Sequence, residues 1–313
     1  MYSTYRYLLG MLLIALFSSW GFYAHKKINH VAVFPLPAPL AAFYKKHIDI
    51  ISEKAVDADK RCYVDSLESP RHFIDVEEYG GGHVDSIPIH WSRATAKFEE
   101  RKMRASGIVP WQIYFTYQKL VRAFREKNTD AIIRHSADLG HYVSDAHVPL
   151  HTTRNYNGQL TGQIGIHAFW ESRLPEMFAD EYNLFVGKAA YLHSPLDSAW
   201  TIVRESNALV DSVLLLEKEL SVTFPKPLQR SYITRNNILI STYSDAYASA
   251  YHTRMQGMVE DRMRKSILRT SSFWFSAWVD AGQPVLNPQN MPSKQEDSMP
   301  IENREIIGRP EWH

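Results

Sequence analysis

A chain of 313 residues with 45% apolar composition can bury a large core, and its 35 basic and 34 acidic residues leave a net charge of +1. That balance excludes a partner recruited by overall charge, so any contact with nucleic acid or an anionic membrane must be made locally. A single cysteine, Cys62, excludes an intrachain disulfide, while 14 histidines direct any metal site toward imidazole and carboxylate, the ligand set of zinc and similar borderline ions.

Residues 1–19 carry Arg6, an apolar run from Leu8 to Phe17 and then two small residues, which is the pattern of a signal peptide cut before Trp20. The alternative is a membrane anchor, because the stretch from Tyr7 to Ala24 is nearly uncharged and about long enough to span a bilayer. The expected product is exported, periplasmic or secreted. It has one all-α domain, a multi-helix bundle over 20–282, followed by a polar tail over 283–313.

Residues 20–34 read as a helix that presents His25 between Phe22 and Ile28, stopped by the prolines of 35–39. A second amphipathic helix follows over 40–56, with Phe43, His47, Ile50 and Ile51 at helical spacing and His47 at the surface or core edge. Residues 60–90 lack a helical period, and Tyr79-Gly80-Gly81-Gly82 forces a loop. Loops held by a rigid scaffold often carry function, so Asp75 in HFID and the histidines His83 and His90 are candidate ligands there.

Three helices come next, over 91–104, 110–128 with Pro110 near its start, and 129–148. In the third, Ile133, Ala137, Gly140, His141, Ser144, Asp145 and Val148 form one stripe, so His141 and Asp145 point inward, four residues apart on one face. Pro149 ends that helix and His151 follows it. His135 and His147 fall off the stripe and read as bystanders. Residues 152–165 are a polar, glycine-bearing loop of the kind that borders an active site, and its Arg154 and Tyr156 are candidate substrate contacts. Beyond it, His167 and Glu171 repeat the four-residue spacing, and the segments at about 196–218, 228–255 and 257–282 read as scaffold helices.

The candidate metal ligands are therefore His25, Asp75, His90, His141, Asp145, His151, His167 and Glu171, with the Trp20 backbone if cleavage frees it. They suffice for three zinc ions with positions left for water, Asp145 being a carboxylate that two ions can share. Zinc lowers the pKa of a bound water to about 7, and paired metals about 3.5–4 Å apart can clamp both the attacking and the leaving oxygen of a phosphoryl displacement. The chemistry expected is metal-assisted hydrolysis of a phosphoester, with Asp75 and Asp145 as the candidate catalytic carboxylates.

At WGFYAH, HFID, LGHYVSDAHVPLH and IHAFWES the chain resembles the zinc-dependent phospholipase C and single-strand-specific zinc nuclease superfamily, over Trp20 to about Glu176. The resemblance implies an all-helical fold and a three-zinc cluster. One ion would take Asp75, His90, His141 and Asp145; a second His151, His167 and Glu171; a third Asp145, His25 and the freed amino group and carbonyl of Trp20. The family places its loop His roughly fourteen or fifteen residues after the Asp, which fits His90 and not His83. The implied substrate is a phosphodiester. WGxxxH, HFID and Pro175 look more like the nucleases, and Glu171 like the phospholipases. A zinc-binding protein without turnover and a membrane-anchored helical protein are the readings of another class. No protein partner is evident from the sequence.

Overall fold

The computed structural model describes residues 21–235 and 238–287. The expected signal segment 1–19, Trp20 and residues 288–313 of the tail lie outside them. The described residues are mostly helical: α1 (Phe22–Val31), α2 (Ala38–Lys46), α3 (Ile48–Glu53), α4 (Asp57–Arg61), α5 (Trp91–Phe98), α6 (Glu100–Ala105), α7 (Val109–Arg125) and α8 (Thr129–His147) come first. After a single 3-10 turn over Pro149–Thr152 come α9 (Ile166–Ala168), a π-helical turn (Phe169–Arg173) and α10 (Leu174–Phe178). The chain closes with α11 (Pro195–Asn207), α12 (Val210–Thr223), strands β1 (Arg230–Arg235) and β2 (Ile238–Tyr243), α13 (Asp245–Arg254) and α14 (Met258–Asp280).

Helix α8 is the spine. Its start is capped by Asn128 Oδ1, which accepts the Ala131 N–H at 3.0 Å, and it stops at His147, just short of Pro149. It packs against α1, α7, α11 and α14, so almost every side chain from Ile132 onward is buried, whichever face it occupies. The apolar filling is aromatic. Trp111 and Trp200 meet edge to face at 5.0 Å, and both indole N–H groups donate to the Ile89 carbonyl. Tyr44 stacks on Trp274 at 4.8 Å, and the Trp274 N–H donates to Ser136 O. The buried apolar residues form one contiguous cluster from Ile28 to Trp278.

Four segments differ from the sequence expectation, two of them by a break within a single expected helix: 91–104 divides at Glu99, whose φ is 63°, and the segment at about 196–218 divides at residues 208–209. The helix expected over 40–56 breaks at His47, whose φ of −111° is not helical, and His47, expected at the surface or core edge, is buried against Phe43. The segment 228–255, expected as one scaffold helix, instead holds the antiparallel hairpin β1–β2 before α13 begins. Ser231-Tyr232-Ile233-Thr234 and Ile238-Leu239-Ile240-Ser241-Thr242-Tyr243 are rich in β-branched and aromatic residues, a preference that outweighs the helical spacing of Ile238, Tyr243 and Tyr247. Among the described residues no helix is long and apolar enough to cross a membrane.

Gly140 sets how closely α1 approaches α8. A Cβ at this position would stand 2.0 Å from Oδ1 of Asn29, a fully buried side chain whose amide donates to Ala137 O. Gly140→Ala is therefore expected to cost about 1–3 kcal/mol, through the overpacking of a filled interface. Thermal denaturation should show a loss of several degrees. An unchanged melting temperature would mean that the two helices can part without cost.

Candidate metal centre

Three groups of ligand atoms, each with all members within 4.8 Å of one another, meet around Asp145: His25, His141 and Asp145; Asp59, His72 and His141; and His151, His167 and Glu171. The carboxylate of Asp145 is 1% exposed and its two oxygens look in different directions. Oδ2 stands 3.0 Å from His72 Nδ1 and 3.1 Å from His141 Nε2. Oδ1 stands 3.4 Å from His25 Nε2 and 3.8 Å from His151 Nδ1. Glu171 repeats the arrangement, with Oε1 3.3 Å from His25 Nε2 and Oε2 3.1 Å from His151 Nε2 and 2.9 Å from His167 Nε2.

Each element delivers its ligand for a local reason. The four-residue spacing on α8 stacks His141 above Asp145. The Pro149–Thr152 turn, which Pro149 makes unavoidable, swings His151 back beneath the helix end. Glu171 sits in the π-helical turn, a local widening of the helix often found at functional sites. His25 reaches the cluster because Gly140 lets α1 lie against α8, and its ring stacks on that of His141 at 4.2 Å.

The outer nitrogens of these rings are committed elsewhere. His141 Nδ1–H donates to Ala55 O at 2.7 Å, and His151 Nδ1–H donates to His72 O at 2.8 Å. Ser144 Oγ donates to His141 O and accepts the Nδ1–H of His25 at 2.7 Å. These bonds fix the tautomers and turn the Nε2 lone pairs of His25, His141 and His151 inward. As a result His141 Nε2 faces His72 Nδ1 at 2.9 Å, and His151 Nε2 faces His167 Nε2 at 2.9 Å. Lone pairs aimed at one another among ionised carboxylates form the donor set of a divalent cation, and the residues fit one.

The electrostatics agree. Burial alone would depress the His141 imidazole, but the Asp145 and Asp59 carboxylates push it up to about 10, so a metal arriving at neutral pH displaces a proton. Burial works against the Asp145 charge, yet His141 and His72 hold that carboxyl far below the usual range. Behind the cluster, fully buried Glu68 accepts from Arg61, Arg71 and Tyr142, and its Oε1 lies 3.6 Å from His72 Nε2. Against the cost of burial, His72 and the two arginines keep Glu68 ionised, so it can anchor His72 from the rear.

The structure brings together His25, His141, Asp145, His151, His167 and Glu171. Two further expected ligands lie outside these groups, and two residues that the sequence did not single out lie within them. None of the ligand groups contains Asp75 or His90. The Asp75 N–H donates to Ser106 O, which ties this residue to the α6 end, and His90 is exposed as the N-terminal flank of α5, its carbonyl accepting from Arg93 and Ala94. His83, the rival to His90, is exposed beside Asp85. The groups instead include His72 and Asp59, whose Oδ1 lies 3.3 Å from His141 Nε2 and 3.6 Å from His72 Nδ1. The sequence signal for His72 lay in HFID itself, whose His ring stands 3.0 Å from Asp145 Oδ2. His147 is a bystander as expected: it donates to Val143 O, lies against Arg269, and burial depresses its pKa. Of the two expected substrate contacts, exposed Arg154 pairs with Glu78, and Tyr156 meets the His167 ring edge-on at 6.1 Å.

A cavity of about 430 Å³ opens above the cluster, lined by Asp59, Cys62, Asp145, His151, His167 and Glu171 on the metal side and by Arg230 and Ile240–Tyr243 of the hairpin opposite. No protein-family model matches the chain, and no curated protein matches it either.

His72→Ala and His90→Ala separate the observed ligand set from the expected one. After equilibration with a divalent metal, mass-spectrometric metal analysis should find less bound ion in His72→Ala and wild-type content in His90→Ala. The reverse pattern would restore the loop ligand.

Proposed function

We propose that this protein is a zinc-dependent hydrolase of phosphodiester bonds, with single-stranded nucleic acid as the favoured substrate class. The observation that carries the reading is the two-faced carboxylate of Asp145, one oxygen toward His72 and His141 and the other toward His25 and His151. A shared carboxylate between imidazole groups is the arrangement that holds neighbouring divalent ions. Asp59, His72, His141 and Asp145 would hold one ion, and His151, His167 and Glu171 a second. His25 and Asp145 would hold a third, completed by Trp20. Gly21 supports that last assignment: a Cβ on it would stand 3.3 Å from Glu171 Oε1 and 3.8 Å from His25 Cδ2, so the chain reaches the described region at the cluster's edge. An amino group can ligate there only if cleavage before Trp20 frees it, which makes export part of the proposal.

Bound zinc would acidify a coordinated water and polarise the phosphoryl oxygens. The protein's own part is to hold eight imidazole and carboxylate side chains from separate segments in register, with outer hydrogen bonds that fix the rings of His25, His141 and His151. The motif resemblance and the cavity above the cluster support the same reading. A phospholipid substrate is the second reading, favoured by exposed Leu160, Ile164, Tyr232 and Leu239 around the hairpin and the neighbouring loop.

Purified protein should hydrolyse bis-p-nitrophenyl phosphate, lose that activity to a chelator and regain it with added zinc. Parallel assays on single-stranded DNA, RNA and phosphatidylcholine vesicles choose between the substrates. A protein that binds zinc and cleaves none of these would be a zinc-binding protein without turnover, and the proposal would fall.

A further inference from the structure

The hairpin lines the cavity from the second half of the chain, beyond the segments that carry the metal-ligating groups. Arg230 and Tyr243 are direct partners across the two strands, and both line the cavity. Arg230 is the one Arg or Lys among the described lining residues, which also include Asp59, Asp145 and Glu171. Its guanidinium lies over the Tyr243 ring at 4.0 Å from the centroid, and one of its nitrogens donates weakly to Ile164 O at 3.4 Å. Among the described residues no carboxylate forms an ion pair with it. The side chain is exposed at the cavity mouth, so it is a held cation with hydrogen-bonding capacity to spare.

Tyr243 explains how it is held and what it excludes. On its other face Tyr243 stacks on Phe169 at 3.9 Å with the rings 19° apart, since two groups at such distances cannot share one face of a ring. Phe169 opens the π-helical turn that bears Glu171, so the cation's platform is built on the ligand-bearing segment. Recognition of a quaternary ammonium headgroup needs open aromatic faces. Here both faces of the Tyr243 ring are filled, one of them by the Arg230 cation; Phe22 and Tyr63 are the other aromatic side chains that line the cavity besides Phe169. A cationic headgroup would be repelled, whereas a planar guanidinium suits a phosphate.

We infer that the hairpin is a specificity element, in which Arg230 binds a second anionic group flanking the scissile phosphodiester, as in a nucleic-acid strand and unlike a zwitterionic lipid headgroup. The inference rests on the phosphodiester reading above. Its direct test uses zinc-loaded wild type, Arg230→Ala and Arg230→Lys, with thymidine dinucleotide compared with the same dinucleotide phosphorylated at its 5′ or 3′ end. The wild type should prefer one phosphorylated form by about tenfold in kcat/KM, expressed in KM, the scale of one charge-assisted contact near solvent. Arg230→Ala should lose that preference and Arg230→Lys keep part of it, with metal content and melting temperature unchanged. Calorimetry with thymidine 3′,5′-bisphosphate should show affinity falling about tenfold in Arg230→Ala, and no such loss for thymidine.

A preference that persists in Arg230→Ala, its absence from the wild type, or faster turnover of phosphatidylcholine vesicles than of the phosphorylated dinucleotides would overturn the assignment. If the wild type cleaves no phosphodiester, the parent reading falls separately. Calorimetry then still decides the role of Arg230, since an unchanged bisphosphate affinity refutes it.

Discussion

A carboxylate buried at the centre of a helical protein must find positive or hydrogen-bonding partners on every side, and Asp145 is that carboxylate here. Its neighbours come from α1, from the turn after α4, from α8 itself and from the turn that Pro149 imposes. Much of the surrounding architecture can be understood as what brings them within reach. Gly140 removes a side chain so that α1 can lie against α8, and His25 then stacks on His141. The π-helical turn brings Glu171 to His25 and His151 together.

Convergence alone would leave the rings free to rotate. Backbone carbonyls of Ala55 and His72, and the hydroxyl of Ser144, take the outer N–H groups and leave the inner lone pairs exposed to one another. On the far side, Glu68, held ionised by Arg61 and Arg71, backs His72. A polar cluster of this size inside an apolar core is costly unless every member is satisfied. The Asp145 and Asp59 carboxylates raise the His141 pKa against burial, the same electrostatic pull that suits the cluster to a cation.

The sequence was most legible where one period controlled the outcome. The α8 stripe placed His141 and Asp145 on one face, Pro149 ended the helix, and the second four-residue pair paralleled the first. It was least legible in residues 54–90, where 3-10 turns replace any period and facing direction is set by tertiary hydrogen bonds. There HFID drew attention to Asp75, although the bond from His151 to His72 O fixes that segment with His72 turned toward Asp145. Asp59 was hidden for a related reason, standing in a short helix whose orientation only the contact with His141 reveals. The hairpin was missed because Ile238, Tyr243 and Tyr247 also fit a helical spacing, and β-branched content was the better guide.

The most direct measurement is anomalous diffraction at the zinc edge from crystals of the zinc-loaded protein. The account predicts one peak among Asp59, His72, His141 and Asp145, another among His151, His167 and Glu171 and a third beside His25 and Asp145, at ligand distances of about 2.0–2.2 Å. It also predicts that the two oxygens of Asp145 point to different ions. Zinc bound at Asp75 or His90, or no ordered zinc beside Asp145, would contradict it.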